Sequence, residues 1–328
     1  MRRWAWLVAA GTGAALALLL VHCGGDDPAA ADGDLLLPDR GEPGDGGISD
    51  AQSQDSADAR GPRCDPSKPF GTPFPLAEFP GTISRSTPRL SADELTIYFT
   101  SNGADAGSDL TTAVRTSTSG AFSGEAVLPQ STVSNDNDPS VSADHLSLYF
   151  HSTRAGTADI FVATRASTSV PFGAAATVAP IDQPTTNENH AYFRGAGDEL
   201  WFISDRDGGA GSFDIYVAKR GAGGFAAPTR VAELSSAAQD WQPQPSEDGL
   251  TILFASDRDG GAGKMDLWVA RRADAAAPFG KPTPLVELNS PNVDQAGWLS
   301  ADGCQIWFSS GRGSADARQQ IFHAERPL

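Results

Sequence analysis

Cysteine, methionine, tyrosine and histidine are scarce in this 328-residue chain, at three, two, four and five residues. Cysteines at only 23, 64 and 304 exclude a disulfide-dense scaffold and a Cys/His zinc spacing. Positive charge is also short: 24 Lys and Arg face 41 Asp and Glu, a formal net charge of −17. Nucleic acids are bound by clustered cations, so this balance points away from DNA and RNA. It equally points away from adsorption to anionic lipid through a basic surface. Catalytic signatures are missing. There is no Gly-x-Ser-x-Gly elbow and no His-Glu-x-x-His pair. Gly11-Thr12-Gly13 has no strand–helix unit around it to make a nucleotide fingerprint. No cofactor, no metal and no catalytic residue are expected.

What is present falls into three compositional segments. Residues 1–22 carry two arginines and then an apolar run from Trp4 to Val21. Residues 23–63 are Asp, Gly, Ala and Pro with almost no aromatics, and hold three basic against ten acidic groups. Such a stretch cannot bury enough apolar surface to order itself and reads as an acidic tether. Residues 64–328 alternate strand-like and turn-like stretches and hold 19 basic and 31 acidic groups. The leader has the basic start, apolar run and junction of an export signal. Ending in Leu20-Val21-His22-Cys23, it resembles a bacterial lipoprotein signal, which would make Cys23 the lipidated first residue of the mature chain. His22 departs from that pattern, which wants a small residue there. An uncleaved anchor and ordinary cleavage remain open, since 18 apolar residues approach a membrane span. All three readings export residues 64–328. Membrane contact is then expected through a lipid anchor only, in the cell envelope.

Five copies of one motif fill the third segment. They end on Phe99, Phe150, Phe202, Phe254 and Phe308, spaced 51, 52, 52 and 54 residues apart. Short strands repeating at this period indicate a β-propeller with one blade per repeat. Leu146, Leu148 and Phe150 alternate with other residues, as do Leu250, Ile252 and Phe254, so one face of that strand is buried. Asp248-Gly249 and Asp302-Gly303 are hairpin turns. A Phe-Gly or Phe-Ala turn precedes each blade's fourth strand. Residues 68–79 have the form of that fourth strand without a blade before them, and the fifth repeat lacks one. The expectation is an all-β fold: a five-bladed propeller of four-stranded blades, closed by an N-terminal strand that completes the last blade and removes open edges.

Ser204-Asp205-Arg206-Asp207-Gly208 and Asp214-Ile215-Tyr216-Val217 resemble the WD40-like PD40 repeats of TolB-type propellers. The resemblance covers residues 84–326 and implies a binding platform. It departs from the TolB pattern in having five blades, not six, and an acidic tether in place of an α/β domain.

Two sets of side chains carry the candidate chemistry. Arg154, Arg206, Arg258 and Arg312 follow the anchor strand, and Asp109, Asp159, Asp214 and Asp266 open the next one. Repeated once per blade, they suit a structural pairing of guanidinium and carboxylate. Asp205-x-Asp207-Gly208 and Asp257-x-Asp259-Gly260 lack the oxygen set of a calcium loop and read as capped turns. The second set precedes each innermost strand: Ser86, Asn137-Asp138, Asn189-His190, Asp240-Trp241 and Asp294-Gln295. These residues are expected to line one mouth of the axial channel, either as a ligand site or as the polar wall of a wet channel. Asp138, Asp240 and Asp294 are the carboxylates a glycosidase would use, though they look like equivalent repeat positions. Cys64 and Cys304 lie where ring closure brings the termini together. A disulfide is one reading, and a plain small apolar Cys304 is the other. The function expected is a monomeric, non-enzymatic scaffold for a protein or envelope component, with a carbohydrate-binding or glycoside-active propeller as the alternative.

Overall fold

A computed structural model describes residues 63–102 and 107–328; the leader, Cys23 and nearly all of the tether lie outside the described residues. Blade 1 comprises Arg85–Leu90, Thr96–Asn102, Ser108–Val114 and Ser123–Val127. Blade 2 comprises Asp136–Val141, Ser147–Ser152, Asp159–Thr164 and Ala176–Thr177. Blade 3 has Glu188–Arg194, Glu199–Ser204, Asp214–Gly221 and Thr229–Arg230, plus the short Gly224–Phe225 strand beside the third. Blade 4 has Asp240–Pro245, Thr251–Ser256, Asp266–Arg271 and Thr283–Pro284. Blade 5 has Asp294–Leu299, Gln305–Ser310 and Gln320–Glu325. Its outer strand is Phe74–Pro75, antiparallel to the third. The protein is thus an all-β, five-bladed propeller with the closure that the repeats predict. No helix among the described residues is long and apolar enough to cross a membrane.

The closing strand is shorter than the 68–79 stretch, but its pairing runs further. Gly71 N donates to Glu325 O at 2.8 Å and Leu76 N to Ile321 O at 3.0 Å. Cys64 and Cys304 form a disulfide, with Cα atoms 5.6 Å apart across 240 residues of sequence. Beside it Arg63 bonds to Asp302 at 2.6 Å and to Glu94 at 3.2 Å, bridging blades 5 and 1.

The five anchor phenylalanines are fully buried. They sit where neighbouring blades press face to face, which is why alternation holds along each second strand. In four blades an arginine caps the anchor. The Arg154 guanidinium lies 5.2 Å above Phe150 and that of Arg258 4.8 Å above Phe254, with Arg206 and Arg312 alike. Each donates Nε to the serine two residues before it and Nη2 to the acid that opens the blade's inner strand. Those acids are Asp136, Glu188, Asp240 and Asp294, all wholly buried.

This corrects the pairing expected from sequence. The arginines bind the inner-strand acid, not the carboxylate opening the third strand. Asp214 accepts from Ala210 N at 2.7 Å and Asp266 from Gly263 N at 3.0 Å, so both hold the glycine-rich turn. A Cβ on Gly261 would collide with the Asp266 carboxylate, which is why that turn carries glycine. Asp159 faces Thr157, and Asp109 holds the same register position in blade 1, opposite Ser101. In the Asp-x-Asp-Gly turns, Asp205 and Asp257 accept from Asn187 N and Gln239 N, both at 2.7 Å.

Candidate functional site

Every inner strand bulges after its second residue, so the pairing register slips between Ser86 and Arg89, Asn137 and Ser140, and their counterparts. Thr87, Asp138, His190 and Gln242 occupy the same bulge position and take φ of 53° to 55°. Left-handed backbone costs a non-glycine residue about 1 kcal/mol or more. Three of these residues, Thr87, Asp138 and His190, line one mouth of the channel.

One mouth of the channel is a cavity of about 290 Å³. Ser86, Asn137, Asn189, Trp241 and Gln295 supply one residue per blade around its rim. Asp138, His151 and His190 lie just inside it. Asp240 and Asp294 do not line it. They hold the place of Asp136 and Glu188, two residues before the bulge, and are spent on Arg258 and Arg312. The structure therefore separates the three carboxylates that the sequence suggested as a set. Asp138 is the one carboxylate lining this mouth among the described residues.

His151 was not anticipated. It stands on the second strand of blade 2, paired with Asn137, where blade 1 has Thr100 and blade 5 has Ser309. At this register position the side chain accepts the bulge N–H of the next blade. Ser309 Oγ takes Thr87 N, Thr100 Oγ1 takes Asp138 N, and His151 Nδ1 takes His190 N at 3.5 Å. An imidazole at a hydroxyl position also reaches the mouth. The alternation of that strand marks His151 as facing away from Phe150, and this was the available signal.

Asp138 Oδ2 lies 2.9 Å from His151 Nδ1 and 2.5 Å from His190 Nδ1. Burial works to raise the Asp138 carboxyl, but the two imidazoles outweigh it and hold the group well below the usual carboxylate range. Burial lowers His190 and outweighs the opposing pull of Asp138. Trp241 stacks obliquely on His190, ring centres 5.5 Å apart. Deeper along the axis, Arg89 is wholly buried, with Nη1 on Gln244 Oε1 at 3.0 Å and the ring of Tyr192 at 5.6 Å. Burial pushes its guanidinium down to about 10. The inner strands' other ends form the far mouth, where Leu90, Val141, Phe193, Pro245 and Leu299 come together near Arg63.

No protein-family model and no curated protein matches this chain. Solved structures share its fold. The endo-arabinase from Bacteroides thetaiotaomicron is 15% identical, with 79% of this chain and 98% of that one aligned at a TM-score of 0.51. The catalytic domain of the Coprinopsis cinerea GH62 α-L-arabinofuranosidase is 13% identical, with 79% and 97% aligned at 0.51. TolB from Acinetobacter baumannii is 17% identical over 74% of this chain at 0.46, and this chain spans 54% of its length. At these identities the likeness is one of fold: this chain is similar to β-propellers, and its own sheets make it a five-bladed one.

Proposed function

We propose that the protein is an exported, lipid-anchored PD40-type propeller. It acts without catalysis, as a monomer, and binds a protein or envelope component through the mouth rimmed by Asn137, Asn189, Trp241 and Gln295. The observation that carries this reading is the division of labour among the carboxylates. The repeated acids are spent on arginines, and the mouth keeps one carboxylate among amides, imidazoles and an indole. Glycoside hydrolysis takes two carboxyl groups across the bond, and this arrangement supplies one. Amides and an aromatic ring suit the capture of a polar group from a partner. The Cys64–Cys304 disulfide supports export, because such bonds persist in oxidising compartments.

Carbohydrate binding is the second reading, favoured by the partly exposed Trp241 ring among the rim amides. One experiment separates the two. The full chain is crosslinked in its native envelope beside Trp241→Ala and Asn189→Ala variants, and the purified chain is tested on a glycan panel. The scaffold reading expects one discrete protein partner whose yield falls about tenfold or more in Trp241→Ala, the scale of one interface residue worth 1.4 kcal/mol. Equal yields from all three proteins would move the partner site elsewhere, and turnover of a glycan would end the non-enzymatic reading.

A further inference from the structure

The cluster just inside the mouth has a property that partner binding does not use. One ligating atom each of Asp138, His151 and His190 lies within 4.8 Å of the others, and the three residues come from three strands of two blades. Asp138 is 4% exposed, yet Oδ2 has no hydrogen-bond partner, and neither has His190 Nδ1. The His151 and His190 ring nitrogens stand 2.9 and 2.5 Å from this oxygen. The one bond to His151 Nδ1, from His190 N, is 3.5 Å long, at the limit for such contacts. That lone pair is therefore largely unspent. A buried carboxylate oxygen facing two ring nitrogens without a directed hydrogen bond is costly unless something positive satisfies all three.

The geometry suits a cation. Donor atoms bonded to one ion at about 2.0–2.2 Å sit roughly 3 Å apart. The two nitrogens lie 2.9 and 2.5 Å from Asp138 Oδ2, so small side-chain rotations would seat an ion between them. The bulges hold the set open: Asp138 and His190 both take φ of 55°, which aims their side chains inward from neighbouring blades. A second acidic group, Asp159, Asp182 and Glu188, shows the contrast. Glu188 is bound by Arg206, Ser204 and Thr186, and Asp182 by two backbone N–H groups, so the oxygens of those two residues already have partners.

We propose that Asp138, His151 and His190 bind a divalent first-row transition metal ion, with its remaining positions open to the channel mouth. Two imidazoles and one carboxylate select zinc, nickel or iron-type ions over calcium and magnesium, which want oxygen ligands. The buried Arg89 guanidinium deeper in the channel opposes a cation, so the affinity expected is that of an open three-ligand site, below that of a four-ligand structural zinc. The inference shares a mouth with the proposed partner surface but not its test. A mouth that takes metal and captures no partner keeps one and ends the other.

The test uses the full chain without a histidine tag. Zn²⁺ is titrated calorimetrically into the wild type, His190→Gln, His151→Gln and the control His145→Gln. One equivalent is expected in the wild type and the control. Each ligand variant should bind at least about 100-fold more weakly, the upper end of what losing an outer partner of a metal ligand costs. Equal affinity in the wild type and both ligand variants overturns the proposal. A second arm needs no substitution and so no assumption about folding. Co²⁺ added to the wild type should give a visible d–d band that saturates at one equivalent and is displaced by Zn²⁺. If no saturable band forms, the proposal fails whatever the variants do.

Discussion

Asp182 shows how one atom type can set a pH response. It occupies the place of Asn289 in blade 4 and Ser131 in blade 1, and all three accept a backbone N–H near the start of the third strand, from Ile160, Leu267 and Leu110. Burial, with help from Asp159 and Glu188, pushes the Asp182 carboxyl up to about 7 against the backbone donors that lower it. A carboxyl whose folded value is raised contributes stability that is fully present below its unfolded value near 3.8 and is lost as pH rises through 7. Asp182→Asn should remove that loss. The blade 4 arrangement shows the amide fits, since Asn289 also donates to Leu267 O while Leu285 N keeps the same oxygen. Thermal melts at pH 5 and pH 8 check this. The variant should gain roughly 2–4 °C at pH 8, equivalent to about 1 kcal/mol for this partly exposed group, and clearly less at pH 5, which lies partway through that window. A parallel shift at both values would refute the assignment. At this scale the sequence was misleading in one respect. Asp136-Asn137-Asp138 offers two aspartates, and aligning the second with Asp240 and Asp294 displaces the register by two. Pro88, Pro139 and Pro243 are the better ruler, because each follows the bulge residue directly.

At the scale of the element, the unit that repeats is a staple rather than a strand. One arginine ties together the anchor phenylalanine, the serine of its turn, a carbonyl of the preceding segment and the inner-strand acid. Arg258→Ala would leave Asp240 buried and charged without its partner. Removing one member of such a pair costs about 3–5 kcal/mol, so urea unfolding should show a loss of that size with an unchanged slope. A loss under about 1 kcal/mol would mean that Ser256 and Ser236 alone satisfy Asp240. The second and third strands were legible because alternation and length agree. The two-residue outer strands were legible only from the Phe-Gly or Phe-Ala turn before them, since Ala176–Thr177 and Thr283–Pro284 are mostly exposed and carry no burial pattern. The mouth's rim was legible from the repeat. The His151 contribution was not, because a cluster assembled across two blades has no local spacing to read.

For the molecule as a whole, stability turns on holding a ring shut. The two-residue closing strand offers few bonds, and the disulfide spans 240 residues. In the chain-entropy model a loop of that length is worth about 5 kcal/mol. Reduction, or Cys64→Ser with Cys304→Ser, should therefore lower the unfolding free energy by a few kcal/mol, read by calorimetry with and without reductant. It should also raise the tendency to self-associate by exposing the free edge of Gln320–Glu325. A reduced protein with the same unfolding temperature would show that the strand alone suffices. Ring closure was legible because one strand-like segment was left over at the start and one place was empty at the end.

The position of Arg63 gives the propeller a front and a back. It joins Glu94 and Asp302 at the far mouth, where the inner strands end, whereas the histidines and Trp241 stand where those strands begin. The two ends of the channel therefore ask for different chemistry: a polar ligand meets imidazoles, amides and an indole at the front, and an apolar one meets Leu90, Phe193 and Leu299 beside an ion pair at the back.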